Sequence, residues 1–136
     1  MTARVLLVDD DPVLLSMMVS AFKAAGYITA QAENGRKALA VFDEHEPDLV
    51  VTDIVMPEME GIGLILELKR KETPPRIIAI SEAGRLRTYD YLKWASHLGA
   101  DDVLSKPIRM ADLLARARRL VPVHSTSTTT ARKVGG

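Results

Sequence analysis

The chain contains no cysteine, which excludes a disulfide scaffold, a zinc–thiolate site and catalysis by a thiol. An excess of charge of either sign is also missing, because 18 Lys and Arg residues balance 18 Asp and Glu residues. A formal net charge of zero argues against a general nucleic-acid-binding protein and against a membrane-surface protein.

Long hydrophobic runs are absent too. The N-terminal apolar run covers only residues 5–8 before three aspartates, which is too short for the apolar region of a signal peptide. No stretch approaches the length of a transmembrane helix. We therefore expect a cytoplasmic protein. At 136 residues and 47% apolar content, the chain suits one domain with a sizeable core.

Short apolar runs alternate five times with segments of helical periodicity. Strands are predicted at residues 5–8, 28–32, 49–53, 77–80 and 103–104. Helices are predicted from Pro12 to Gly26, after an Asn34–Gly35 turn, and over 62–71, 86–98 and 110–121. Continuous apolar strands separated by helices predict an α/β fold, a doubly wound parallel sheet covered on both faces.

The periodic pattern ends near Pro122. The following residues are rich in Ser and Thr and have no apolar period. We therefore predict one folded domain over residues 1–121 and a flexible C-terminal tail over 122–136.

Polar side chains follow four of the five predicted strands. Asp9 and Asp10 follow the first strand, Asp53 ends the third, Ser81 ends the fourth and Lys106 follows the fifth. Taken singly, such residues most often cap turns or lie on the surface. In a parallel sheet, however, they all reach the carboxyl edge, where open α/β sheets bind their ligands.

This combination of groups suits phosphoryl chemistry. Crowded carboxylates repel one another, and a hard divalent cation such as Mg²⁺ relieves that repulsion through oxygen ligands. Lys106 would neutralise charge on a phosphoryl group, and the Ser81 hydroxyl would donate to one of its oxygens. Asp53 is ionised at neutral pH, since a free Asp has a pKa of about 3.9, and can act as a nucleophile without a general base.

With these residues the chain resembles the receiver domain of bacterial two-component response regulators. The resemblance covers residues 4–121 and depends on the ordered motifs VDDDP at 8–12, PDLVVTD at 47–53, MPEMEG at 56–61, Ser81 and Lys106–Pro107. It implies a flavodoxin-like, five-stranded parallel sheet in the order 2-1-3-4-5.

The resemblance also implies roles for the polar residues. Asp53 would be the phosphoacceptor. Asp9, Asp10, Asp53 and the backbone carbonyl of Val55 would bind Mg²⁺.

Ser81 and Lys106 would contact the phosphoryl group, and the Lys106–Pro107 peptide would be cis. The phosphoryl group would come from a histidine kinase or a phosphotransfer protein.

The implied output surface comprises the fourth helix, the fifth strand and the fifth helix. Tyr89, Tyr91 and Trp94 fall on the predicted fourth helix and suit a protein interface. A downstream protein partner is expected there, with no direct contact to nucleic acid or membrane.

Three positions depart from the family pattern. Glu82 replaces a small residue after Ser81, Val103 replaces an aromatic residue before Lys106, and Glu60 replaces Asp or Asn. Rotation of an aromatic side chain therefore cannot be the output switch at position 103.

Two other functions compete with a phosphorylated receiver. A pseudo-receiver would bind a partner without phosphorylation, although the complete polar set argues against it. An aspartate-nucleophile phosphatase commonly has a second Asp two residues after the nucleophile, where this chain has Val55. We expect no enzymatic activity beyond self-phosphorylation and self-dephosphorylation.

Overall fold

The computed structural model describes residues 2–54, 61–82, 93, 97 and 99–123. Its strands are β1 (Arg4–Val8), β2 (Ile28–Ala32), β3 (Leu49–Asp53), β4 (Arg76–Glu82) and β5 (Asp102–Lys106). They form one sheet in the order β2-β1-β3-β4-β5, and every neighbouring pair is parallel. The predicted doubly wound sheet and its strand order are confirmed.

The helices within the described residues are α1 (Pro12–Ala24), α2 (Gly35–His45), α3 (Gly61–Lys69) and α4 (Met110–Leu120). The α4 helix corresponds to the fifth helix of the sequence prediction. The predicted helix at 86–98 lies outside the described residues, except for helical positions 93 and 97. Residues 124–136 also lie outside them, so the flexible tail stays a prediction.

The sheet is buried because successive strand residues point to opposite faces, and helices cover both faces. On one face, residues of β1, β3 and β4 pack against α1 and α4. On the other, the alternate residues of these strands pack against α2 and α3. The fully buried apolar residues of these three strands are Val5, Leu6, Leu7, Val8, Leu49, Val50, Val51, Ile77, Ile78, Ala79 and Ile80.

One aspartate and one asparagine side chain cap the N-termini of helices. Asp11 accepts hydrogen bonds from the backbone N–H groups of Val13 (3.0 Å) and Leu14 (3.3 Å), as predicted for an N-cap. Asn34 does not form the predicted turn with Gly35. Instead its side-chain oxygen accepts from Lys37 N at 2.8 Å and caps α2, because this satisfies an otherwise free N–H group.

The fourth strand is longer than its apolar run. Pairing with β3 and β5 extends it to Glu82, whose register partner is Lys106. Ser81 therefore lies within β4 rather than after it. No helix among the described residues has the length and apolar character needed to cross a bilayer.

Candidate functional site at the carboxyl edge of the sheet

Three strands bring charged side chains into contact at one edge of the sheet. The ammonium nitrogen of Lys106, at the end of β5, donates to Asp53 Oδ2 over 3.1 Å. The same nitrogen lies 3.2 Å from Asp9 Oδ2. Asp9 directly follows β1 and Asp53 ends β3, the strand between β1 and β4. Lys106 thus bridges the two carboxylates from β5, beyond the intervening β4.

Asp9 is fully buried and incompletely hydrogen-bonded. Its Oδ1 accepts from Asp11 N at 2.8 Å. Its Oδ2 is buried at an ion-pair distance from Lys106 but has no hydrogen bond within the described part of the chain. Burial is the largest effect and raises the pKa of Asp9, and the nearby Asp53 carboxylate raises it further. The hydrogen bond from Asp11 N–H and the charge of Lys106 lower this pKa but do not cancel the increase. Asp9 Oδ2 is therefore paired in charge with Lys106 but receives no hydrogen bond of good geometry within the described residues.

Lys106 is held in its charged form. Burial acts to lower its pKa, but the carboxylates of Asp53 and Asp9 outweigh that effect, so the pKa is raised above 10.5. Its side chain is only 18% exposed, so the charge is screened little by solvent. The site therefore contains a fixed positive charge beside Asp53.

A third carboxylate completes an oxygen-rich cluster. Asp9, Asp10 and Asp53 each offer a carboxylate oxygen, and these atoms all lie within 4.8 Å of one another. Asp10 is exposed, whereas the other two are buried. The three carboxylates outnumber the single ammonium group of Lys106. Together with the unsatisfied Asp9 Oδ2, this hard-oxygen set fits a divalent cation such as Mg²⁺.

The other predicted site residues are only partly described. Ser81 is buried in β4, one residue beyond Ile80, which is the register partner of Asp53. The Lys106–Pro107 peptide is cis, as expected. Val55 lies outside the described residues, and so does the Tyr89, Tyr91 and Trp94 set.

The two departures near the site can be placed on the sheet. Val103 is half-buried in β5 and packs against the core face that lies beneath α2 and α3. The backbone of Glu82 pairs with that of Lys106. Both positions therefore belong to the two strands that deliver Ser81 and Lys106.

Gly61 contributes a close backbone contact that sequence reasoning missed. In the sequence it is only the last residue of the MPEMEG motif at 56–61. Its N–H donates to Ile54 O at 2.6 Å, and a Cβ atom at this position would lie 2.0 Å from Asp53 O. Only glycine therefore lets α3 begin directly against the backbone of the candidate phosphoacceptor.

Comparison with known proteins agrees with this geometry. The sequence model of the response regulator receiver domain matches residues 5–118. The chain belongs to the response regulator receiver domain family. The family predicted from the motifs is confirmed.

The chain is similar to bacterial proteins of different lengths. The chemotaxis protein CheY of Bacillus subtilis is 37% identical over 110 residues, which cover 80% of this chain and 89% of CheY. The transcriptional regulatory protein TrcR of Mycobacterium tuberculosis is 32% identical over 120 residues. That match covers 87% of this chain but only 45% of TrcR.

A solved structure shows the same fold. The signal receiver domain of a response regulator from Bermanella marisrubri matches with a TM-score of 0.79 and 29% identity. The match covers 89% of this chain and 99% of that structure. The receiver fold therefore extends over nearly all of the described residues.

Proposed function

We propose that this receiver domain is phosphorylated on Asp53 by a histidine kinase or a phosphotransfer protein, in a reaction that depends on Mg²⁺. The observation that supports this most directly is the bridge from Lys106 Nζ to Asp53 (3.1 Å) and Asp9 (3.2 Å). It places a fixed cation beside a buried carboxylate, at an edge where Asp9 Oδ2 still lacks a hydrogen bond within the described residues.

The reaction follows from the chemistry of these groups. A carboxylate oxygen of Asp53 attacks the phosphorus of a phosphohistidine and forms an oxygen–phosphorus bond. The nitrogen–phosphorus bond breaks, and its electron pair stays on the imidazole nitrogen of the donor. Lys106 neutralises negative charge on the transferred group, and the Ser81 hydroxyl donates to one of its oxygens.

The cation would be held by Asp9, Asp10 and Asp53, with the Val55 carbonyl as a further expected ligand. When bound, Mg²⁺ supplies positive charge that stabilises the phosphoryl oxygens. Asp9 is suited to this task because its burial and its neighbour Asp53 both disfavour the ionised carboxylate, which a bound cation would stabilise.

The output surface would be formed by the predicted fourth helix, β5 and α4. Within its described part, Arg116 Nη1 lies 2.7 Å from Asp102 Oδ1, and Arg119 Nη2 lies 3.6 Å from Asp102 Oδ2. These ion pairs connect the surfaces of α4 and β5 within the proposed output surface. We propose a downstream protein as partner, in the cytoplasm, without direct contact to nucleic acid or membrane and without further enzymatic activity.

The experiment that tests this function is intact-mass measurement after incubation with acetyl phosphate, with and without Mg²⁺. We expect one phosphoryl adduct that requires Mg²⁺ and disappears in Asp53→Asn. Asp43→Asn serves as the matched control, because Asp43 is an exposed aspartate whose partner is Lys71. Absence of any adduct on the native chain would refute the proposal and favour a pseudo-receiver.

A further inference from the structure

A buried hydroxyl group adjoins the candidate phosphoacceptor. Thr52 is fully buried in β3, where its register partners are the apolar residues Val8 and Ala79. Its neighbours on the same face of the strand, Val50 and Ile54, belong to the core beneath α2 and α3. A valine would fill the same volume in such surroundings. The hydroxyl therefore requires an explanation other than packing.

The hydroxyl has a defined acceptor. Thr52 Oγ1 donates to the backbone carbonyl oxygen of Asp53 at 2.9 Å. The N–H of the same peptide unit, which belongs to Ile54, donates to Ile80 O in β4 at 2.8 Å. The peptide unit after Asp53 is thus held by hydrogen bonds at both its C=O and its N–H.

Gly61 adds a steric restraint to this peptide unit. The start of α3 lies so close that a Cβ atom on Gly61 would meet the carbonyl oxygen of Asp53 at 2.0 Å. The carbonyl oxygen of Asp53 therefore lies against the start of α3, which limits rotation of this peptide unit toward the helix. The orientation of this peptide plane sets the ψ angle of Asp53, and the rotamers open to a side chain depend on the backbone angles of its own residue.

We propose that Thr52 is a positioning residue for Asp53: its hydroxyl fixes the peptide that aims the Asp53 carboxylate at Lys106 and at the cation site. This inference rests on the proposed function of Asp53 as phosphoacceptor and cation ligand. It assigns to Thr52 no contact with the phosphoryl group.

Two pairs of variants isolate the hydroxyl. Thr52 and Thr52→Val differ in the hydroxyl at nearly constant volume. Thr52→Ser and Thr52→Ala both lack the methyl group and differ only in the hydroxyl, so this pair remains informative if Thr52→Val folds poorly. Thr29→Val is the control, because Thr29 is half-buried in β2 and pairs with Val5, near the amino end of β1.

Two readouts are measured on each chain. Calorimetric titration gives the Mg²⁺ affinity of the unphosphorylated protein, and intact mass gives the initial rate of phosphorylation by acetyl phosphate at saturating Mg²⁺. We expect loss of the hydroxyl to reduce both by about two- to tenfold, the range for one net hydrogen bond. Thr52→Ser should stay within about twofold of the native chain, and Thr29→Val should match it.

Each outcome supports or overturns the proposal. Equal Mg²⁺ affinities and rates within both variant pairs would overturn it, and so would a Thr52→Ser chain as impaired as Thr52→Ala. If the native chain accepts no phosphoryl group, the proposed function fails. The Mg²⁺ affinities then still decide whether Thr52 positions Asp53.

Discussion

Replacement of Lys106 by Met should destabilise the cation-free protein. The change removes the ammonium group that lies 3.1 Å from Asp53 Oδ2 and 3.2 Å from Asp9 Oδ2, and keeps most of the apolar stem. Breaking a buried ion pair by removing one partner costs about 3–5 kcal/mol. Because the Lys106 side chain is 18% exposed, water can reach the vacated space, and we expect a loss near the lower end, about 3 kcal/mol.

Magnesium should reverse the effect. The variant leaves three neighbouring carboxylates without the competing ammonium group, so its Mg²⁺ affinity should exceed that of the native chain. At a free Mg²⁺ concentration 100 times the dissociation constant, binding stabilises the folded state by about 2.7 kcal/mol. Mg²⁺ at that concentration should therefore bring the variant close to the stability that the native chain has in chelator, and the gap between the two chains in Mg²⁺ should narrow in proportion to the logarithm of their affinity ratio.

Urea unfolding measures the free energy of unfolding of both chains, in a chelator and in Mg²⁺. Lys71→Met is the matched control, since Lys71 forms a 3.2 Å ion pair with Asp43, whose side chain is 70% exposed. Lys71 also lies over the Phe42 ring, 5.1 Å from its centroid. The ion pair contributes about 0–1 kcal/mol and the cation–π contact about 0.5–1 kcal/mol, and the stability lost in this control should be the same in chelator and in Mg²⁺. Unchanged stability of Lys106→Met in chelator, or weaker Mg²⁺ binding, would refute the reasoning.

The pH dependence gives a second check on the same variant. The pKa of Lys106 is raised in the folded chain, so its stabilising effect is present below its ordinary value of 10.5. That effect is lost as the pH rises through the raised folded-state pKa. The stability difference between the native chain and Lys106→Met should therefore persist across neutral pH and close only in strong alkali.

Three further changes test the surroundings of the site. In chelator, Asp9→Asn should be more stable than the native chain at pH 7, because burial raises the pKa of Asp9 and ionising this carboxyl group in the folded state costs stability. The advantage of the variant should shrink as the pH falls toward 3.8. A stability advantage that does not depend on pH in urea unfolding would contradict this. Gly61→Ala should cost about 1–3 kcal/mol or more, since its Cβ would lie 2.0 Å from Asp53 O, and a thermal midpoint equal to that of the native chain would exclude the clash. Tyr27→Phe removes the 2.8 Å hydrogen bond to Val121 O and should cost about 1 kcal/mol in urea unfolding, a neutral result showing that the hydroxyl contributes nothing net.

Much of the architecture was predictable because it depends on local pattern. Runs such as residues 49–53 are apolar and β-branched, and their alternation with helical periodicity is enough to predict a parallel sheet. Ends of elements were harder to predict. The β4 strand reaches Glu82 through pairing with β5, and Asn34 caps α2 instead of forming a turn, because each depends on partners outside its own segment.

The candidate site also has features that follow from local sequence pattern and features that depend on distant parts of the chain. That Asp9, Asp53 and Lys106 reach one edge follows from the position of each at the end of a predicted strand. The fold class, the family and the chemical identity of the groups at that edge could therefore be predicted from the amino-acid pattern. Their mutual distances depend on how the strands are ordered and on how far each side chain extends.

The folded structure was needed to show that Lys106 contacts both carboxylates, that Asp9 Oδ2 lacks a hydrogen bond within the described residues, and that Gly61 lies against the backbone of Asp53. It was also needed to show that the Thr52 hydroxyl is bonded to Asp53 O, where the sequence shows only a β-branched residue in a strand. Periodicity records which face of an element is buried. It does not record contacts a few ångströms long between strands, which arise from register and from the close approach of α3 to β3.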